Sequence, residues 1–218
     1  MDFQIFTGNP AELPADTLVV TINDNGELSA SAEKIDSASG GAIQARISAK
    51  DVTGSAGSSL TLYSLANTQA NRTVIAGSGK ENLNAVDANK IASTIGKAIA
   101  GKTGTAAVDV SALATDSRPQ AWWAEQIVLA VHAAQYKFIA TLPGKEPSPA
   151  LDTLVWIGED VKTALTVADA KGLGTSYAKE LGNMPPNICT PTYLADEAQK
   201  LSDAAGFSCK VYDEKEME

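Results

Sequence analysis

Apolar and polar positions along this chain change their period repeatedly, and each change marks an element. Short apolar runs rich in valine, isoleucine and threonine predict strands at Phe3–Phe6, Thr17–Ile22, Ser59–Leu65, Thr73–Ala76, Ala106–Val110, Tyr136–Thr141 and Thr153–Ile157. Between them, three- and four-residue spacings predict helices at Ser29–Asp36, Gly41–Ser48, Ala85–Ala100 and Gln120–Gln135. In the third of these helices, Ile91, Ile95 and Ile99 form one stripe. Strands alternating with helices argue for an α/β fold. Its sheet is expected to be mixed and largely parallel, with helices on both faces.

The last quarter of the chain has a different rhythm. Val161, Leu165, Ala168, Leu173, Tyr177 and Leu181 share one face of a long helix over 161–182, with Gly172 and Gly174 as possible weak points. Pro185 and Pro186 cannot continue it, and Gly182 or Asn183 is expected to supply a left-handed end. A second helix is announced by Thr190 as N-cap and Pro191 at the first helical position. Leu194, Ala198, Leu201 and Ala205 make its stripe, Gly206 stops it, and Phe207, Cys209 and Val211 alternate as a strand. By local physics alone this is a rigid helix–turn–helix joint. Three prolines make 142–149 loop-like, but a strand follows at once. The expected division is therefore a domain over 1–160, a linker helix over 161–182 and a further piece over 183–218.

Composition narrows the classes. A chain of 218 residues with 44% hydrophobic content suits one ordinary domain plus a smaller piece. No apolar run reaches the roughly 18 residues of a membrane span. The start, MDFQIFTGNPAELPAD, is acidic and lacks an apolar signal core, so a cytoplasmic location is expected. Two cysteines, Cys189 and Cys209, fit reduced thiols better than a disulfide framework. The sequon Asn71-Arg72-Thr73 has no consequence without a secretory route. Net charge is −9, with no Lys/Arg cluster, so no nucleic-acid footprint is present.

Several motifs compete for attention. Gly96 to Thr103, GKAIAGKT, matches a phosphate-binding P-loop by letter. That mechanism needs a strand before the loop and a helix after it, and here the order is reversed. Gly101 reads instead as a helix stop and Lys102 as a cation favoured at a helix C-terminus. Gly77-Ser78-Gly79-Lys80 does follow a strand, but it lacks the first glycine of a P-loop and reads as a tight strand-to-helix turn. His132 is the only histidine, which excludes a histidine-pair zinc motif in this chain and makes a packing role the expectation. Cys189 and Cys209 cannot close a tetrahedral zinc site with one distant histidine. Trp122 and Trp123 cannot both face one core, so one either marks an interface or packs under a loop.

The segment Lys179 to Ala198, KELGNMPPNICTPTYLADEA, resembles the entry to the catalytic domain of the leucyl (cytosol) aminopeptidase family. Asp16 to Val20, Val74 to Lys80 and Ala124 to Lys145, with Tyr136 and Phe138, resemble further stretches of that family in order. Its usual glycine before the aromatic pair is missing, and Ala133 and Ala134 stand there. The resemblance implies a parent that releases N-terminal residues from peptides with a pair of divalent metal ions, manganese or zinc. It also implies a hexameric homo-oligomer. The lysine and carboxylate motifs that hold the metals do not occur here. The expectation is the front part of such an enzyme, inactive by itself, whose partner is its own missing catalytic domain. No catalytic, cofactor-binding or metal-binding residue is assigned. Val19 to Asn23 followed by Gly40-Gly41-Ala42-Ile43 also resembles a macro domain, the ADP-ribose-binding fold. A nucleotide-binding module is the alternative; macro domains use paired asparagines to seat the ribose and phosphates, and Asn23 and Asn25 do not stand in that usual context. Macro domains carry a richer glycine run there.

Overall fold

Thr17–Ile22 is buried at every position, which is the mark of a strand covered on both faces. In the computed structural model, which describes residues 1–147 and 149–217, it lies inside a six-stranded sheet. The strands are β1 (Asp2–Phe6), β2 (Thr17–Ile22), β3 (Ser59–Tyr63), β4 (Arg72–Gly77), β5 (Thr105–Val108) and β6 (Thr153–Ile157). Their order is β1-β6-β5-β2-β4-β3. All neighbours run parallel except β3, which is antiparallel to β4 at the edge. The helices are α1 (Ala30–Ala38), α2 (Ala42–Ser48), α3 (Ala85–Ile99), α4 (Gln120–Gln135), α5 (Lys162–Asn183) and α6 (Pro191–Ala205). The expected mixed, largely parallel α/β sheet is therefore present.

Alternation along each strand builds two cores. Val19, Val74, Val108 and Trp156 point to one face and pack with α3, α4 and the start of α5. Leu18, Val20, Ile75, Ala107 and Val155 point to the other, with Ile35 of α1 and Ile43 of α2. The α3–α4 crossing turns on Gly96, where an added Cβ would stand 2.6 Å from the Ala130 side chain. This glycine of the P-loop-like stretch admits a helix. Past the end of α3, Gly101 takes a left-handed φ of 65°, and Lys102 Nζ donates to the Ala98 carbonyl at 3.2 Å.

The chain forms two compact units. The first is Met1–Lys137 with Pro147–Gly174 and holds all six strands. The second is Phe138–Glu146 with Thr175–Glu218. In the second, Thr190 caps α6 by accepting from the Tyr193 N–H at 3.2 Å, and Gly206 ends it at a φ of 75°. Tyr177 donates to Glu197 Oε2 at 2.9 Å and Lys200 to Oε1 at 2.7 Å. Lys200, then Tyr177, hold the Glu197 carboxyl below its ordinary pKa.

Four local expectations are corrected. Tyr136–Thr141 is no strand: Tyr136 caps α4, and the segment pairs with no neighbour in the sheet. Phe207, Cys209 and Val211 alternate but also lack a ladder partner. Neither Gly182 nor Asn183 is left-handed; the last turn of α5 closes through Met184 N–H to Glu180 O at 3.1 Å, and Pro185 stops it. Gly172 and Gly174 do not interrupt α5, because Gly172 is where the helix meets His132.

Candidate functional site

In an open parallel sheet, ligands favour the carboxyl ends of strands where the connections diverge. Here β2 has β4 on one side and β5 on the other. A crevice of about 580 Å³ lies beyond their ends, lined by Asn23, Asp24, Glu27, Lys80, Glu81 and Arg118 among others. Its polar groups are largely spent on one another. Asn23 Oδ1 accepts from the N–H of Asn25 at 3.0 Å and of Glu27 at 2.9 Å, and Asn23 Nδ2 donates to Glu27. In the turn after β4, Ser78 Oγ donates to Ile22 O at 2.9 Å and Asp24 N–H to Gly79 O at 3.1 Å. Arg118 donates to Leu83 O at 2.8 Å and lies over the Trp122 ring, 5.6 Å from its centre. Three carboxylates, Asp24, Glu27 and Glu81, face the same space.

A second cleft, of about 440 Å³, opens at the opposite, amino-terminal edge of the sheet. Asp16, Tyr63, Arg72 and Lys102 line it. The Lys102 ammonium sits below its ordinary pKa, because burial removes water and Arg72 stands nearby. No local pattern in the sequence joins this pair, since Arg72 and Lys102 lie on different elements. The one available signal was Lys102 just beyond a helix end.

The residues singled out from the sequence do not converge. His132 Nε2 is 2.7 Å from Asp169 Oδ1, joining α4 to α5, and the Met1 amino group is 3.9 Å from Asp169 Oδ2. Trp123 is fully buried, and its Nε1 donates to Leu113 O at 3.1 Å. Trp122 meets it edge-on with ring centres 5.0 Å apart and is half-buried beneath Arg118. Cys189 and Cys209 are free thiols in the second unit. Among the described residues, no three His, Cys, Asp or Glu side chains are grouped to hold a metal ion. The donor set of the described residues therefore does not fit the metal pair that the resemblance implies.

Comparison with known proteins gives a consistent picture. The profile of the cytosol aminopeptidase family N-terminal domain matches residues 19–141. A probable cytosol aminopeptidase of Xanthomonas axonopodis pv. citri is 34% identical over 228 residues, covering 100% of this chain and 45% of that protein. One from Dechloromonas aromatica is also 34% identical, over 229 residues, with 100% and 46% covered. The chain thus spans about half the length of the curated relatives it matches. A solved structure of a mutant tomato leucine aminopeptidase shares the fold, with a TM-score of 0.78, 19% identity, and coverage of 100% of this chain and 45% of that one. The bottromycin maturation enzyme BotP in complex with Mn aligns at a TM-score of 0.68 and 19% identity, covering 93% and 39%. With more than half its length inside the matched profile, the chain belongs to the cytosol aminopeptidase family, and the matched stretch is that family's N-terminal domain.

Proposed function

We propose that this chain is the front part of a cytoplasmic leucyl-type aminopeptidase, and that it serves packing and assembly rather than catalysis. The observation that carries the reading is α6. Its stripe Leu194, Leu201 is 44% and 47% exposed, and Ser202 is the one buried residue of the helix. A stripe of this kind normally faces a core. The division of labour would follow 1–160 as the N-terminal domain, 161–182 as linker helix and 183–218 as the beginning of a catalytic domain. That domain would carry a manganese or zinc pair and cleave N-terminal residues from peptides, within a hexamer. The metals would be held outside these residues, so no step of the reaction is placed here.

The test is leucine anilide hydrolysis with added manganese. The 218-residue chain should show none, and the same chain extended by its downstream reading frame should turn substrate over. Robust turnover by the short chain sinks the proposal. A second reading, a macro-like nucleotide-binding module, draws support from the position and volume of the crevice beyond β2 and β4. The engagement of Asn23 within its own turn and the three carboxylates weigh against it. Calorimetric titration with ADP-ribose separates the two: saturable heat favours the module, and none at millimolar ligand removes it.

A further inference from the structure

The cleft at the amino-terminal edge of the sheet gathers two cations, Arg72 and Lys102, beside a single carboxylate, and neither forms an ion pair among the described residues. Among the described residues, only Arg72, Lys102 and Arg118 are half-buried basic side chains; the other lysines and arginines are exposed. Arg118 is accounted for by a carbonyl and an indole face. Arg72 and Lys102 are not. Arg72 Nε donates to Thr17 Oγ1 at 2.6 Å, which fixes the guanidinium plane and leaves its terminal nitrogens without a bond among the described residues. Lys102 spends one of three donors on Ala98 O.

The carboxylate in the same cleft is turned away from both. Asp16 Oδ1 accepts from Asn71 Nδ2 at 2.9 Å, and Oδ2 from the Thr105 N–H at 2.9 Å. Its charge offsets one of the two cations but its lone pairs point at other donors. Tyr63 stands directly opposite Arg72 in the β3–β4 ladder, so its ring and the guanidinium share a face. It is 71% exposed. Partial burial first, and the nearby Arg72 second, disfavour the charged Lys102 ammonium and lower its pKa. Although the whole chain carries a net charge of −9, no carboxylate among the described residues forms an ion pair with either cation.

We propose that this cleft binds a phosphate group, with Arg72 and Lys102 as its charged donors and the Tyr63 hydroxyl at the rim. Guanidinium nitrogens fork onto two phosphate oxygens, and an ammonium serves a third as a point charge. The cleft is larger than a free phosphate needs, so the group arrives either as the inorganic ion or as the phosphoryl end of a small ester. This site is independent of the aminopeptidase reading and stands or falls separately.

The experiment is a titration of the 218-residue chain followed by backbone amide NMR, with phosphate replacing chloride at constant ionic strength. One arm uses inorganic phosphate and a second uses phosphoserine. Saturating shifts at Arg72 and Gly101 to Thr103 are expected in one arm or both, with a rise in melting temperature. Affinity should fall as pH rises through the lowered Lys102 pKa. Lys102→Gln and Arg72→Gln should each weaken binding by roughly tenfold, the weight of one charge-assisted hydrogen bond. Lys162→Gln, at an exposed lysine that lines neither cleft, should leave it unchanged. Shifts that climb without saturating in both arms, or Lys102→Gln binding like the unaltered chain, overturn the proposal. If Arg72→Gln loses its fold with the Thr17 bond, Lys102→Gln decides alone, since its tip bonds only one helix-end carbonyl.

Discussion

Helices α3 and α6 are both fifteen residues long and both striped, yet they end in opposite circumstances. Every isoleucine of the α3 stripe, Ile91, Ile95 and Ile99, is removed from water between the sheet and α4. Leu194 and Leu201 of α6 are nearly half exposed. Both helices carry N-cap side chains, Asn84 and Thr190, so local chemistry is equally well made in each. Periodicity therefore says which face of a helix wants cover. It does not say whether the cover is supplied within the same stretch of chain.

That contrast is open to direct attack. Trp123→Ala empties a fully buried site and removes the bond to Leu113 O, and should cost about 3–5 kcal/mol in urea unfolding. Leu201→Ala should stay within about 0.5 kcal/mol, since it vacates no core. A large loss at Leu201 would mean that α6 is covered after all. Within α5, a Cβ at Gly172 would meet His132 at 2.2 Å, whereas Gly174 has open space around it. Gly172→Ala should therefore destabilise by about 1–3 kcal/mol, and Gly174→Ala should stabilise by up to about 1 kcal/mol by thermal melting. Thr190→Ala should cost α6 about 1 kcal/mol, read as lost helicity without a change in the melting of the sheet unit.

The smallest effect concerns pH. The Glu197 carboxyl is held low by Lys200 first and Tyr177 second. A carboxylate depressed on folding contributes stability above its unfolded pKa of about 4.3 and loses it as pH falls through the folded value. The Tyr177–Glu197–Lys200 link should therefore hold at neutral pH and weaken below about pH 4. Glu197→Gln should flatten that acid limb in a helicity titration, and an unchanged limb would place its cause elsewhere.

The sheet was legible because its strands follow one rule. Thr17–Ile22 and Thr153–Ile157 are short β-branched runs buried on both faces, and their bounds match the structure residue for residue. The helices were legible through stripes and a cap: Ile91, Ile95 and Ile99 in α3, and Thr190 ahead of α6. Tyr136–Thr141 misled because alternation over a few residues describes a side-chain pattern, whereas a strand also needs a neighbour to take its amides. Gly172 misled because a glycine in a helix signals weakness only when nothing approaches it. The turn Gly77-Ser78-Gly79-Lys80 was visible as a turn, and it does border the larger crevice. The Arg72–Lys102 cleft was not visible, because it is assembled by register and crossing from residues that are unremarkable where they stand in the chain.

The chain has three tryptophans, Trp122, Trp123 and Trp156, and all of them lie in the sheet unit. Indole fluorescence, excited apart from tyrosine, is therefore a natural label for that unit alone, with two of its three emitters shielded from water. An indole signal that stays constant while ellipticity falls would report the C-terminal helix melting by itself, with no dye or engineered probe.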